Sequence, residues 1–410
     1  MNGRQVGEDG EARFGGVDWS WERHAVCVVD AAGVVIERFE AEHQAAGLQA
    51  MVRRLRRAAV LRVAIERGDG PVVEAMLAGG LEVVVISSRQ VKALRLRYGT
   101  AGNKDDRFDA FVLADVLRSD GHRLAALTPN SSATIGLRSL VRARKDLIKH
   151  RIALANQLRA NLLSAFPGAV GLFAEIDSPI SLTFLTRFCC AERAAWLSEK
   201  RMAAWLAGVG YCGRQTAEQL MTHLHAAPAG LTGPAGAACA TVTEQLVATL
   251  IDLRARIDVL DERIAKTLAL HHDAAVFTSL PRAGTNRAAL LLAEIGDCRA
   301  RFPDDTALAA AAGVAPSTRA SGKKHHVAFR HSCDKKLREA LIDFAADSRQ
   351  SSPWAADIYQ RARDRGARHP HAVRILARAW CRIIWRCWTD NTAYDPARHG
   401  GLQQLLTAHG

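Results

Sequence analysis

Seven apolar residues, Leu246, Leu250, Leu253, Ile257, Leu260, Ile264 and Leu268, follow one another at steps of four and three that alternate as far as Ile264. No strand repeats at that interval, so the stretch from Thr243 to Leu270 is a helix with a single apolar seam that has to close on another helix. A partner lies upstream. Thr134 to Phe166 holds no proline before Pro167 and carries Val141, Ile148, Ile152, Ala155 and Leu162 at close to heptad spacing. The two seams suit an antiparallel intramolecular arm and a contact between subunits equally well.

This arm divides the chain. The expected parts are a loose polar tail over 1–12, an α/β domain over 13–128, a basic long helix over 129–168, a divergent helical or linker region over 169–240, the second coiled-coil helix over 241–272, a mainly α-helical domain over 273–395 and a tail over 396–410. At 410 residues there is room for two or three cores. A hydrophobic share of 49% with 24% charged residues is that of a soluble globular chain. No stretch reaches the ~18 uncharged apolar residues of a membrane span. Arg4, Glu8, Asp9 and Glu11 interrupt the start, so no secretory signal is readable and the expected location is cytoplasmic. Nine cysteines without a Cys-x-x-Cys suggest reduced thiols rather than disulfides or a thiolate zinc site.

Short apolar runs begin at Phe14: Gly16 to Trp19, His24 to Asp30 and Gly33 to Phe39, with the turn-prone Asp30-Ala31-Ala32-Gly33 between the last two. They predict an antiparallel three-strand meander. A β-rich run from Leu61 to Glu66, a helix after Pro71, a second run from Leu81 to Ile86 and helices to about Arg118 complete an α/β layer fold.

Asp18 ends the first run and Glu66 the fourth, while Asp106 and Asp109 stand three apart where a helix should begin and so share its face. Strand ends are where α/β sheets display functional groups. Carboxylates brought within ~4 Å repel by ~4 kcal/mol per pair at an effective dielectric of ~20, so such a cluster calls for a divalent cation. Oxygen-only ligands select Mg²⁺ or Mn²⁺. Structural roles compete with this: Asp18 can start a turn, Glu66 can pair with Arg67 or Arg62, and Asp106 and Asp109 favour a helix N-terminus. Asp105 rivals Asp106, and Asp115, Asp69 and Glu74 are lesser candidates.

The 55 Lys and Arg against 42 Asp and Glu leave +13, which favours a polyanionic partner. Arg374, Arg378, Arg382 and Arg386 recur every four residues along Ala372 to Trp388, opposite Val373, Leu376, Trp380, Ile383 and Ile384. Arg138, Arg142, Arg144, Lys145, Lys149 and Arg151 stripe the first long helix. Both stripes are candidate nucleic-acid contacts, set against the alternative of a solvated helix face. Ser321, followed by Gly322, Lys323, Lys324, His325 and His326, offers a hydroxyl in a cationic loop; Ser317 is its rival. His325, His326 and His331 lack a carboxylate or Cys at ligand spacing and read as phosphate or solvent contacts rather than a metal cluster.

Together these residues resemble the transposases of the insertion sequence 110 family, DEDD-type recombinases similar at their N-terminus to Holliday-junction resolvases. The likeness rests on Gly16-Val17-Asp18, on Ala64-Ile65-Glu66 and on Lys104-Asp105-Asp106-Arg107-Phe108-Asp109-Ala110, which is similar to the family's Lys-Thr-Asp-x-x-Asp-Ala. Downstream, Leu280-Pro281-Arg282-Ala283-Gly284-Thr285 resembles its Pro-Gly-Ile-Gly hairpin, with Arg282-Ala283 in place of Gly-Ile. Arg282 and Arg287 add charge there. Ala312-Gly313-Val314-Ala315-Pro316 ahead of Ser321-Gly322 resembles its Gly-Leu-x-Pro and Ser-Gly.

The resemblance implies an RNase H-like (Holliday-junction-resolvase-like) first domain with Asp18, Glu66, Asp106 and Asp109 as the metal-binding quartet. It further implies Ser321 as nucleophile forming a phosphoserine, a C-terminal domain with a helix-hairpin-helix-like segment, DNA as substrate, an element-encoded bridge RNA and a homo-oligomer, dimer or tetramer. The rival readings are a hydrolytic junction nuclease using the same acids with water, an actin- or sugar-kinase-like ATPase, and a non-catalytic DNA-binding regulator. Trp19-Ser20-Trp21 after Asp18 disfavours the ATPase, whose phosphate loop wants small residues there.

Overall fold

The computed structural model describes residues 12–98, 105–321 and 324–409. All but the last residue of the expected N-terminal tail, together with Lys104, Gly322 and Lys323, lies outside them. The chain forms two compact units, residues 1–129 and 130–410.

The first unit is a five-stranded sheet with strand order β3-β2-β1-β4-β5. Strands β1 (Arg13–Asp18), β2 (Arg23–Val29) and β3 (Val35–Glu42) form the antiparallel meander, and β4 (Val60–Ile65) and β5 (Glu82–Val85) add to β1 in parallel. Every residue of β2 after Arg23 is buried, whereas edge strand β3 alternates. Helices α1 (Ala45–Arg57) and α2 (Pro71–Ala78) cover one face, packing Leu48, Met51, Leu55, Val72 and Met76 on Val17, Val63 and Ile65. The other face carries α3 (Ser88–Arg95) and α4 (Asp106–Asp120), with Val91, Val112 and Leu113 on Ala64 and Val84. Gly16 fixes how closely α4 approaches: a Cβ there would lie 2.1 Å from the Ala110 carbonyl oxygen and 2.5 Å from the Ala114 nitrogen.

The second unit is built on α5 (Ser132–Ala165), capped by Ser131, and on α10 (Gly233–Ala269). These pack on each other antiparallel: Thr134 bonds His271 at one end, Arg144 pairs with Asp261, and Asn161 donates to Thr243 Oγ1 (2.8 Å) at the other. The seams close within the chain. On α10 the expected residues face inward, with Leu250, Leu253, Ile257, Ile264 and Leu268 buried. On α5 the expectation needs correcting, because Ile152 is exposed and the buried line runs through Leu137, Val141, Ala155, Leu158 and Leu162.

Between the long helices, α6 (Pro179–Arg187), α7 (Ala191–Ala194), α8 (Glu199–Gly208) and α9 (Ala217–Ala226) form a module around Phe166, Phe173, Phe184, Phe188 and Trp205. It is a packed core rather than a linker. After α10 come α11 (Ala274–Thr278), α12 (Gly284–Ile295), α13 (Asp305–Ala311), the antiparallel hairpin β6 (Ser317–Ser321) and β7 (Lys324–Ala328), then α14 (Lys335–Ser348), α15 (Pro353–Asp364), α16 (His369–Thr389) and α17 (Gly400–His409). Trp380 and Trp388 are fully buried here and spend their indole N–H groups on Ser348 Oγ and the Gly296 carbonyl, both at 2.9 Å. The expected C-terminal tail ends in helix α17, which packs on α15. All nine cysteines are free thiols, and no helix among the described residues is long and apolar enough to cross a membrane.

Candidate active site

Strand alternation brings the acids of the first unit to one end of one face. Gly16 and Ala64 point to α4, so Asp18 and Glu66, two residues further along neighbouring parallel strands, leave the sheet on the same side. Val17 and Ile65 are registered partners, so both acids stand at the carboxyl end of the sheet. The close packing allowed by Gly16 sets the first turn of α4, with Asp106 and Asp109, over that end. Asp18 and Glu66 are half-buried, Asp106 is exposed and Asp109 is 1% exposed.

The other acids have structural work. Asp105 is the N-cap of α4, accepting from the Arg107 N–H at 3.1 Å. Asp115 accepts from Tyr98 and pairs with Arg118 at 2.7 Å, and its burial together with that carboxylate pushes the Tyr98 phenol above its ordinary range. Asp69 pairs with Arg67, and Glu74 is exposed in the first turn of α2.

Among the described residues, no three of Asp18, Glu66, Asp106 and Asp109 bring ligand atoms within 4.8 Å of one another. Asp109 turns one oxygen to the Arg95 guanidinium, which neutralises it, while its other oxygen, Oδ1, is buried without a hydrogen-bond partner. A buried, unsatisfied carboxylate oxygen suits a hard cation: it has a lone pair to give and no protein donor to give it to.

In the second unit the serine expected in a loop lies in a hairpin. Ser321 is the last residue of β6, registered with Lys324, and Ser317 is half-buried at the hairpin base opposite Ala328. The side chains of Ser321 and Lys324 lie outside the described residues. A short segment, residues 279–283, joins α11 to α12 where the helix-hairpin-helix-like segment is expected. Arg282 holds the left-handed φ of +55° usually left to glycine, and its side chain pairs with Asp347 at 2.9 Å. Arg287 joins Asp343 (3.1 Å) and Asp347 (2.9 Å).

The basic stripes are not open faces. On α5, Arg142 grips buried Glu294 with two bonds of 2.8 and 2.7 Å, and Arg138 donates to the Ala293 carbonyl at 2.6 Å. Arg144 pairs with Asp261, Lys145 with Glu339 (2.9 Å), Lys149 with Asp146 (3.2 Å) and Arg151 with Asp177 (3.2 Å). On α16, Arg374 lies over the Phe329 ring and Arg378 pairs with Asp305 at 2.6 Å. Arg382 is exposed, and Arg386, although paired with Asp390 (2.6 Å), keeps most of its side chain in solvent.

Sequence reading missed one cluster. His271, His272 and Asp273 are the one trio among the described residues whose ligand atoms lie within 4.8 Å of one another. They do not form a metal site. His271 Nε2 bonds Thr134 Oγ1 at 2.9 Å, its Nδ1 accepts the Asp273 N–H at 3.1 Å, and Arg299 holds the Asp273 carboxylate. The cluster ties the start of α5 to the end of α10. Its signal in the sequence is only the adjacent pair His271-His272.

Comparison with known proteins decides the family. The DEDD transposase model of IS110 elements matches residues 15–167, and the model described as "Transposase IS116/IS110/IS902 family" matches residues 274–360. The mini-circle putative transposase for IS117 of Streptomyces coelicolor is 31% identical over 95% of this chain and 97% of its own. The chain belongs to the IS110 family of transposases. The IS900 42 kDa protein of Mycobacterium paratuberculosis is 29% identical over 80% of this chain and 82% of its own. Among solved structures, T. thermophilus RuvC in complex with a Holliday junction substrate aligns to 28% of this chain and 99% of its own, at 15% identity and a TM-score of 0.24. All four acids of the expected quartet fall in the first matched segment of this IS110-family chain, whereas Ser321 falls in the second.

Proposed function

We propose that this transposase cuts, exchanges and rejoins DNA strands of a mobile element, with the first unit acting as an RNase H-like metal-binding domain and Ser321 supplying the nucleophile. The observation that carries the reading is the convergence of Asp18, Glu66 and the first turn of α4 at one end of one sheet face, with a buried Asp109 oxygen left unsatisfied. Asp18, Glu66, Asp106 and Asp109 would hold Mg²⁺ or Mn²⁺; bound there, the ion supplies the positive charge that polarises a scissile phosphate. Arg95 holds Asp109 Oδ2, so Oδ1 is the oxygen that Asp109 would offer the ion.

The Ser321 hydroxyl gives up its proton and its oxygen attacks phosphorus. The bond to the 3′-oxygen breaks, that oxygen takes a proton, and the phosphate stays on the serine as an ester. A 3′-hydroxyl from another strand then reverses the step, so the phosphodiester energy is kept without ATP. Cationic residues next to Ser321 in sequence, Lys323 and Lys324, and the exposed Arg382 and Arg386 are suited to hold phosphates. A bridge RNA and assembly as a dimer or tetramer, which the family resemblance implies, belong to the same proposal.

The test incubates the full chain with Mg²⁺ and DNA carrying the element ends, then maps any covalent adduct by peptide mass. A phosphorylated nucleotide on Ser321, lost in Ser321→Ala together with cleavage, is expected. Cleavage that survives in Ser321→Ala turns the reading to a hydrolytic nuclease, and an adduct on Ser317 moves the nucleophile to the hairpin base.

A further inference from the structure

Directly after Asp18 the chain does something costly: it exposes a tryptophan. Trp21, in the turn from β1 to β2, is 75% exposed. Its ring meets Trp19 edge-on, with centroids 4.8 Å apart and planes at 68°. Trp19 in turn lies under the guanidinium of Arg67, 4.9 Å from the ring centroid, and Arg67 is the residue after Glu66. The two residues that follow the two strand-end acids therefore touch each other, and together they support a second ring held out in solvent.

The turn is tethered at both ends. The Ser20 N–H donates to His24 Nδ1 at 3.3 Å, so His24 Nε2 carries the ring proton and donates to His43 Nδ1 at 2.9 Å. His24 is fully buried, and the His43 N–H donates to the Glu22 carbonyl at 2.8 Å. A solvated surface turn has no use for a buried histidine relay, whereas a turn that must present a ring at a set place does.

We infer that the Trp19–Trp21 turn is a stacking platform for a base of the DNA strand whose phosphate enters the acid site. The inference rests on the proposed cleavage at Asp18 and Glu66. Every base has a flat π-face, and an exposed indole takes one without regard to sequence. The chain's +13 charge favours a polyanion over an apolar protein partner. Trp21 is thus a substrate-positioning residue: stacking fixes the nucleotide next to the scissile phosphate without touching the reacting atoms.

The full-length protein is titrated with an oligodeoxynucleotide carrying a fluorescent aminopurine, and cleavage is followed separately under single turnover. Wild type should quench the probe on binding. Trp21→Ala should bind about tenfold to a hundredfold more weakly and lose the quench, with the loss appearing mainly in KM. Trp21→Phe should bind within about threefold of wild type, since a ring remains. With Trp21 so exposed, the alanine variant should keep the circular dichroism of the parent. Binding and quenching unchanged in Trp21→Ala would overturn the inference, as would a dependence seen with the matching oligoribonucleotide but not with DNA. Glu66→Gln separates the two readings. If it still cuts, the acid site is wrong; if it does not cut while Trp21→Ala behaves as wild type, only the stacking platform falls.

Discussion

At the scale of single residues, the first unit holds two groups in states that solution conditions can reverse. Asp109 is buried against Arg95 with one oxygen unsatisfied. Removing the guanidinium strands a buried carboxylate, so Arg95→Leu should cost about 3 kcal/mol of unfolding free energy without divalent ions. Excess Mg²⁺ should restore most of it by binding the folded state, and should stabilise wild type less, because there it competes with Arg95. Denaturant titrations with and without Mg²⁺ check both. His24 is the second case. Burial first, and His43 second, hold it down to about 4 from an ordinary 6.5. Its folded value lies below its unfolded one, so the unfolded chain binds the extra proton. Its contribution is complete above pH 6.5 and is lost as pH falls towards 4. Unfolding midpoints of wild type should fall across that window, and those of His24→Gln should fall less steeply by on the order of one proton.

At the scale of elements, the position of α4 depends on a hydrogen atom. Gly16→Ala drives a methyl into the Ala110 carbonyl and the Ala114 amide, backbone atoms that cannot turn aside, so α4 must lift from β1. The expected cost is more than about 3 kcal/mol, with loss of cleavage, read by thermal unfolding and strand-cutting assays. The long helices give a contrast between two arginines. Arg142→Ala should unfold the second unit at lower denaturant by about 3 kcal/mol, because it orphans buried Glu294. Arg382→Ala should leave stability alone and reduce the salt dependence of DNA binding by about one counterion. Equal effects on both readouts would mean that neither stripe is sorted correctly.

These elements also show what a sequence discloses. The strand ends at Asp18 and Glu66 were legible because short apolar runs end abruptly on a charge, and α10 because seven apolar residues recur at steps of three or four. What escaped was set by partners far along the chain. Glu294 claims Arg142, and Asp177 claims Arg151 across a turn of packed helices, so a stripe that looks positive in isolation is largely neutralised. Ile152 faces outward although it stands four residues after Ile148, because the buried line returns seven residues after Ile148, at Ala155, and continues through Leu158 and Leu162. The hairpin Ser317–Ser321 has no apolar alternation and could not be told from a loop.

At the scale of the whole molecule, the acids and the serine belong to different compact units, residues 1–129 and 130–410. The first has a core of its own on both sheet faces, with Val17, Ile65 and Met76 on one and Val84 and Leu113 on the other. A chain of residues 1–129 should therefore unfold cooperatively by itself. It should still gain stability from Mg²⁺, since Asp18, Glu66, Asp106 and Asp109 are all present. It should form no covalent DNA adduct, because it lacks the alcohol; residues 130–410 should form none either, because they lack the carboxylates. The full chain should yield a detergent-resistant adduct that Asp18→Asn abolishes while leaving Ser321 in place. If residues 1–129 alone cut DNA with Mg²⁺, four acids and a water molecule suffice, and the second unit's hydroxyl has no part in breaking the strand.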